Sequence, residues 1–134
     1  MRYFLALLFA TSPALACDWQ VSERVDPMTD GKVCTITSPS AHLGIGVRGD
    51  VVTFVSSGYR YGYDYLTLRV DDHKAIQLGK RARSTDAYES DARDALALIR
   101  SGQRLRVQFS TPNGTVNGEA AICNLPALID ACAE

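Results

Sequence analysis

The four cysteines of this 134-residue chain lie toward its two ends, Cys17 and Cys34 near the start, Cys123 and Cys132 near the finish, with none between. No other feature restricts the fold as much, because a sulfur bridge forms only where two Cα atoms come within ~7 Å. Whether such bridges form depends on the compartment, and the first residues address that. Met1-Arg2-Tyr3 gives a positive start, "FLALLFA" from Phe4 to Ala10 is a short apolar core, and Ala14-Leu15-Ala16 fits the small-x-small cleavage rule. The apolar run is less than half of the ~20 residues that a membrane-spanning helix needs. Residues 1–16 therefore read as a secretory signal, and residues 17–134 as one exported β-rich domain, periplasmic or secreted. Four cysteines in an exported chain of this size read as two disulfides.

Cleavage just before Cys17 leaves an alternative, a lipid on that sulfur that would anchor the domain to a membrane at Cys17. A lipoprotein site wants a large aliphatic residue three before the cysteine and a small residue next. Ala14 and Leu15 occupy those places in the reverse order. A lipidated Cys17 would also leave one of the other three cysteines without a partner, which favours the soluble form.

Geometry narrows the pairing. "WQVSERV" and "GKVCTIT" flank "DPMTDG", Asp26 to Gly31, whose Pro and Gly read as a loop closing a hairpin. Centring the loop there sets Val21 opposite Ile36 and Glu23 opposite Cys34. Cys17 then lies six residues further along, roughly 20 Å at ~3.3 Å per residue, too far to bridge Cys34. In "CNLPALIDAC", Asn124 is a candidate cap, Pro126 sits near the first helical position, and Leu125, Leu128, Ile129 and Cys132 fall on one side of a short helix. Such a helix holds its ends ~10 Å or more apart, which disfavours a Cys123 to Cys132 bridge. By elimination, Cys17 and Cys34 each pair with one of Cys123 and Cys132, in an order that remains open.

The stretch between is mostly strand. "HLGIGVRGDVVTFVS" folds as a hairpin around Gly49-Asp50, with Leu43, Ile45 and Val47 on the same face as Val52 and Phe54. "YLTLRVDD" is a strand with Leu66, Leu68 and Val70 inward, stopping at Asp71-Asp72-His73. "SDARDALALIRSG" is a helix: Ser90 can cap it, Asp91 and Asp94 suit its N-terminus, Ala92, Ala95, Leu96 and Ile99 form its apolar stripe, and Gly102 ends it. The final hairpin, "RLRVQFSTPNGTVNGEAAI", is expected to turn at Asn113-Gly114 with both residues at positive φ, aligning Leu105, Val107 and Phe109 with Ala120 and Ile122. There is no repeat, low-complexity tract or linker. The expected fold is mainly β (α+β), a single antiparallel sheet or sandwich domain with one inserted helix and a short C-terminal helix.

Four segments carry a resemblance: "WQVSERVDPMTD" (Trp19 to Asp30), "LTLRVDD" (Leu66 to Asp72), "LALIRSGQRLRVQFSTP" (Leu96 to Pro112) and "LPALIDAC" (Leu125 to Cys132). Their order resembles that of the VasI-type accessory proteins of type VI secretion and their phage-borne relatives. More loosely, Trp19, Arg69-Val70-Asp71 and "SGQRLRV" are similar to the invasion-associated locus B family of periplasmic proteins. This chain departs from the pattern in its uninterrupted central strand "GIGVRGDVV", where those proteins tend to carry a cysteine. The resemblance implies an exported accessory or interaction domain, and neither family supplies catalytic residues to carry over.

The residues themselves add no catalytic constellation and no metal or cofactor motif. His42 and His73 stand apart, without metal-ligand spacing to each other or to a cysteine. The four cysteines lack a close Cys-x-x-Cys pair. Asp26, Asp30, Asp71 and Asp72 flank turns, where acids are ordinary, and a calcium loop would need more oxygen ligands at regular spacing. A nucleophile elbow of the Gly-x-Ser-x-Gly type is missing. The formal charge of −1 becomes one unit more negative on losing Arg2, so no basic excess favours nucleic acid or an anionic membrane. The one basic run, "GKRARS" from Gly79 to Ser84, has no interleaved aromatics and reads as a solvated loop. Asn113-Gly114-Thr115 matches a glycosylation acceptor, but the hairpin turn explains it without a sugar.

"GYRYGYDY" is the candidate binding feature. In an extended conformation Tyr59, Tyr61, Tyr63 and Tyr65 share one face and form a strip of amphipathic rings for a protein or glycan partner. Against this, Gly58 and Gly62 can bend the segment, and some of the rings can pack inward. Two functional readings follow. The leading one is an exported non-catalytic accessory or binding domain of the bacterial envelope, tied to secretion or host contact. The alternative is a small periplasmic enzyme, or an inhibitor of a cell-wall enzyme, built on loop acids and histidine. Convergence of Asp71, Asp72 and His73 with a further acid in a cleft would favour the alternative.

Overall fold

The computed structural model describes residues 17–57, 65–79, 87–88 and 92–133. Their elements in chain order are β1 (Gln20–Val25), β2 (Lys32–Ser38), β3 (Leu43–Arg48), β4 (Val51–Ser56), β5 (Tyr65–Val70), β6 (Ile76–Gly79), β7 (Ala87–Tyr88), α1 (Ala92–Ser101), β8 (Arg104–Thr111), β9 (Gly114–Ala121) and α2 (Leu125–Ala133). The strands form two antiparallel sheets in a sandwich-like α+β fold. One sheet has the order β1-β2-β3-β4-β7, the other β6-β5-β8-β9.

The first hairpin has the register its loop dictates, Val21 opposite Ile36 and Glu23 opposite Cys34. Asp26 organises that loop: its carboxylate accepts the Met28 N–H at 2.9 Å, and its carbonyl accepts the Asp30 N–H at 2.8 Å. The Met28 bond above all, together with the Arg48 guanidinium at 2.8 Å, holds the Asp26 carboxyl below its ordinary value. In the second hairpin Gly49, at φ 60°, makes the turn, and Ile45 pairs with Phe54 and Val47 with Val52 as expected. Leu43, Ile45, Val47 and Phe54 are fully buried.

The second sheet shows the same alternation. Leu66, Leu68 and Val70 of β5 are buried, as are Leu105, Val107 and Phe109 of β8. Residues from both sheets, together with Ala95 and Ile99 of α1 and Leu125 and Ile129 of α2, belong to one apolar core. Burying a side chain such as Phe54 or Leu68 contributes ~1.5–3 kcal/mol. The helices are tied to each other on their exposed side by Arg100, whose two Nη atoms bond the Asp130 carboxylate at 3.1 and 2.7 Å.

One local expectation is corrected. The last hairpin does not turn at Asn113-Gly114. Thr111 pairs with Gly114, so Pro112 and Asn113 are the central residues, and neither has a positive φ. The proline, with φ fixed near −65°, takes the first central position and leaves Gly114 at φ 122° after the turn. Leu105 therefore faces Ala120, Val107 faces Gly118 and Phe109 faces Val116, a shift of two residues that preserves the buried face. Gly102 ends α1 as expected, and its φ is not positive. A Cβ there would stand 2.2 Å from Val70 Cγ1 and 3.0 Å from Ile122 Cδ1, so close packing is what requires glycine.

The sulfur bridges link the two ends of the described chain. Cys17 pairs with Cys123 and Cys34 with Cys132, at Cα separations of 6.1 and 5.7 Å. The first bridge is exposed, the second buried beneath α2. Next to Cys17, the Trp19 indole N–H donates to the Ala121 carbonyl at 2.8 Å, extending the same attachment. The bridges point to an oxidising, non-cytoplasmic compartment. Among the described residues no helix is long and apolar enough to cross a membrane.

Candidate functional site

The outward positions of the second sheet build a shallow hollow of about 550 Å³. Because side chains alternate, the residues between the buried ones project together from three neighbouring strands: Thr67 and Arg69 from β5, Arg106 and Gln108 from β8, Asn117 and Glu119 from β9. Arg69 and Arg106 are direct cross-strand partners, as are Gln108 and Asn117. An adjoining hollow along β5 and β6 shares Thr67 and Ala75 with the first and is lined by Tyr65 and Lys74.

The arginines are anchored by the turn that follows β5. Arg69 Nε donates to the His73 carbonyl at 2.9 Å, and Arg106 Nη2 donates to the Asp71 carbonyl at 3.1 Å. Asp71 itself sits at φ 49°, and its carboxylate accepts the N–H groups of Gln103 and Arg104 at 3.2 and 2.8 Å. Arg106 Nε is buried and has no hydrogen-bond acceptor among the described residues. Glu119 is ion-paired with Arg104. That carboxylate, by its hydrogen bond foremost, raises the Arg104 guanidinium further above its ordinary value. Gln108 Nε2 donates to Asn117 Oδ1 at 2.9 Å, a polar pair spanning β8 and β9.

The rim of the hollow comes from the other sheet. The loop between β2 and β3 lays Ser40 and Ala41 against β9, and the Glu119 N–H donates to the Ser40 carbonyl at 3.2 Å. Gly118 permits this approach, since a Cβ there would stand 2.1 Å from the Ala41 carbonyl oxygen. Asp18 fixes the loop by accepting from the Ser38 hydroxyl at 2.6 Å and from the Ser40 N–H and hydroxyl, each at 2.9 Å. Burial raises the Asp18 pKa, but these three donors outweigh it and hold the carboxyl below its ordinary value.

Of the tyrosine strip, Tyr65 is exposed at 58% and faces outward on β5, while Tyr59, Tyr61 and Tyr63 lie outside the described residues. Residues 1–16, the basic residues 80–84, and Ser90 and Asp91 before α1 are also outside them. Among the described residues, the acids and histidine of the enzyme reading do not converge. Asp71 caps backbone N–H groups, while Asp72 and His73 are exposed on the turn. Glu23 comes near the sulfurs of Cys34 and Cys132, all within 4.8 Å of one another, but those sulfurs are bonded to each other and offer no thiolate to a metal. Comparison with family models, curated proteins and solved structures yields no match.

Sequence reasoning did not find Arg69 and Arg106. Their outward alternation is readable in "LTLRV" and "RLRVQF". Their adjacency is not, because β5 and β8 pair across β6, β7 and α1, and no local signal marks that pairing.

Proposed function

We propose that this chain is an exported, non-catalytic binding domain of the bacterial envelope, cut after Ala16 and released in soluble form with Cys17 as its first residue. The observation that carries this reading is the Cys17–Cys123 bridge. A sulfur engaged with Cys123 cannot also hold the thioether of a lipid anchor, and bridges of this kind belong to oxidising compartments. The contact surface is the outer face of the second sheet, where exposed Tyr65 and the arginine pair lie on one side of β5. An accessory role in secretion or host contact agrees with the resemblance to VasI-type and invasion-associated locus B proteins.

Mass spectrometry of the protein recovered from its native envelope tests the first half. The expected product begins at Cys17, carries no acyl mass, and weighs four hydrogens less than the reduced chain. A triacylated Cys17, or an uncut chain with free thiols, overturns it. A photo-crosslinking amino acid placed at Tyr65 tests the second half in living cells. It is expected to give one discrete adduct that is lost when the same group is moved to exposed Met28 in the loop between β1 and β2; equal labelling from both positions removes the proposed surface.

A further inference from the structure

We infer that the hollow on the second sheet is a binding site for an acidic oligosaccharide, with the arginine pair reading a carboxylate and Tyr65 stacking on a neighbouring ring; this rests on the reading of the chain as a binding domain. Arg69 and Arg106 stand directly opposite each other on adjacent strands. Like charges in that relation are destabilising, and an anion between them reverses the sign of the interaction. Both guanidinium groups are pre-oriented by carbonyls of one turn, those of His73 and Asp71. Such anchoring reduces the ordering cost of binding. The buried Nε of Arg106 meets no acceptor among the described residues, so this guanidinium is incompletely satisfied by the protein. Glu119, the acid in the wall, is turned to Arg104 instead.

The rest of the surface specifies more than an oxyanion. In the Gln108–Asn117 pair each amide uses one group on the other, which leaves Gln108 Oε1 to accept and Asn117 Nδ2 to donate. Hydroxyls of a sugar ring match that combination. Along β5, Tyr65, Thr67 and Arg69 project from one face, and the span from first to last is ~13 Å at ~3.3 Å per residue, about the length of two sugar rings. An exposed phenol ring at the far end suits the apolar face of the second ring. A peptide is a poorer match. Among the described residues the hollow is shallow and lined mainly by polar side chains, with no deep apolar pocket for an anchoring side chain, and the outer edge of β9 is engaged by Ser40 at Glu119, which obstructs strand addition there.

The test is nuclear magnetic resonance titration of the oxidised protein with digalacturonate, using cellobiose as the neutral control, inorganic phosphate as the bare oxyanion and an acidic peptide as the rival ligand. Digalacturonate is expected to shift the Nε–H signals of Arg69 and Arg106 and the Asn117 side-chain amide, more strongly than phosphate, with cellobiose and the peptide weaker still. Arg69→Gln and Arg106→Gln are each expected to weaken binding by ~10-fold or more. Both unligated variants are expected to keep the parent's backbone amide spectrum away from the hollow, and this separates lost binding from lost folding. Tyr65→Ala should weaken digalacturonate but not phosphate. No shift up to ~10 mM digalacturonate overturns the inference. So does an equal response to phosphate, or tighter binding of the peptide. None of these three results touches the export and contact tests above, so failure here is distinguishable from failure of the broader reading.

Discussion

Asp18 holds Ser40 twice, through its backbone N–H and through its hydroxyl, each at 2.9 Å. With the Ser38 hydroxyl at 2.6 Å, this carboxylate joins the start of the described chain to the loop that rims the hollow. Its pKa is lowered in the folded protein from the ordinary 3.8. A depressed carboxyl pKa means stability that is complete above the unfolded value and is lost as pH falls through the folded one. Thermal midpoints measured from neutral pH downward should therefore fall below about pH 4, and Asp18→Asn should flatten that decline. Asp18→Ala is expected to cost ~1–2 kcal/mol at neutral pH, the lower part of the range for bonds to a charged group because the carboxylate is partly exposed.

Gly118→Ala should disturb the same rim from the other side. Its Cβ would lie 2.1 Å from the oxygen, 2.3 Å from the carbon and 2.8 Å from the Cα of Ala41, all backbone atoms held by the Asp18 contacts. The expected loss is ~1–3 kcal/mol in chemical denaturation. Gly46→Ala is the matched control, because its nearest neighbour would be the Thr53 carbonyl oxygen at 3.8 Å. A control that loses as much as Gly118→Ala would refute the steric explanation.

The two bridges should differ in reactivity because they differ in burial. Mild reductant applied to the folded protein is expected to open exposed Cys17–Cys123 first, and Cys34–Cys132 only under unfolding conditions. Alkylation followed by mass spectrometry reads the order, and simultaneous opening under native conditions contradicts it. Replacing either pair by serine should cost ~2–5 kcal/mol. The buried pair should cost more, since it leaves hydroxyls in an apolar site.

Asp71 combines an unusual backbone with a needed acceptor, and substitutions separate the two. Asparagine keeps an oxygen for the Gln103 and Arg104 N–H groups and tolerates the φ of 49°. Glycine relieves the backbone but loses the acceptor, and alanine does neither. The expected order of stability is Asp71→Asn above Asp71→Gly above Asp71→Ala, with the last ~1–3 kcal/mol below the parent. An alanine variant as stable as the asparagine one would show that neither property matters here.

Much of the first sheet was readable because turn chemistry and alternation agreed. Asp26 to Gly31 and Gly49-Asp50 each fixed a register, and Ile36, Ile45 and Phe54 fell on the buried face that register requires. The last hairpin misled because "PNG" holds two turn signals in conflict. The preference for Asn-Gly at paired positive φ lost to proline at the first central position. The pairing of sulfurs was half-readable: reach excluded the two local bridges, but only the packing of α2 beside β2 brings Cys132, rather than Cys123, to Cys34. The hollow was least readable of all. Its arginines are neighbours through a contact between strands separated by two further strands and a helix, and local sequence carries no record of such a contact.

Both bridges span nearly the same interval, with Cys17 and Cys34 on one side and Cys123 and Cys132 on the other. A protease that severs the backbone once, anywhere from residue 35 to residue 122, therefore releases nothing: each fragment keeps two sulfurs fastened to the other. Wherever proteases meet it, a nicked molecule would stay whole and still present its sheet face, and only a reducing gel would reveal the cut.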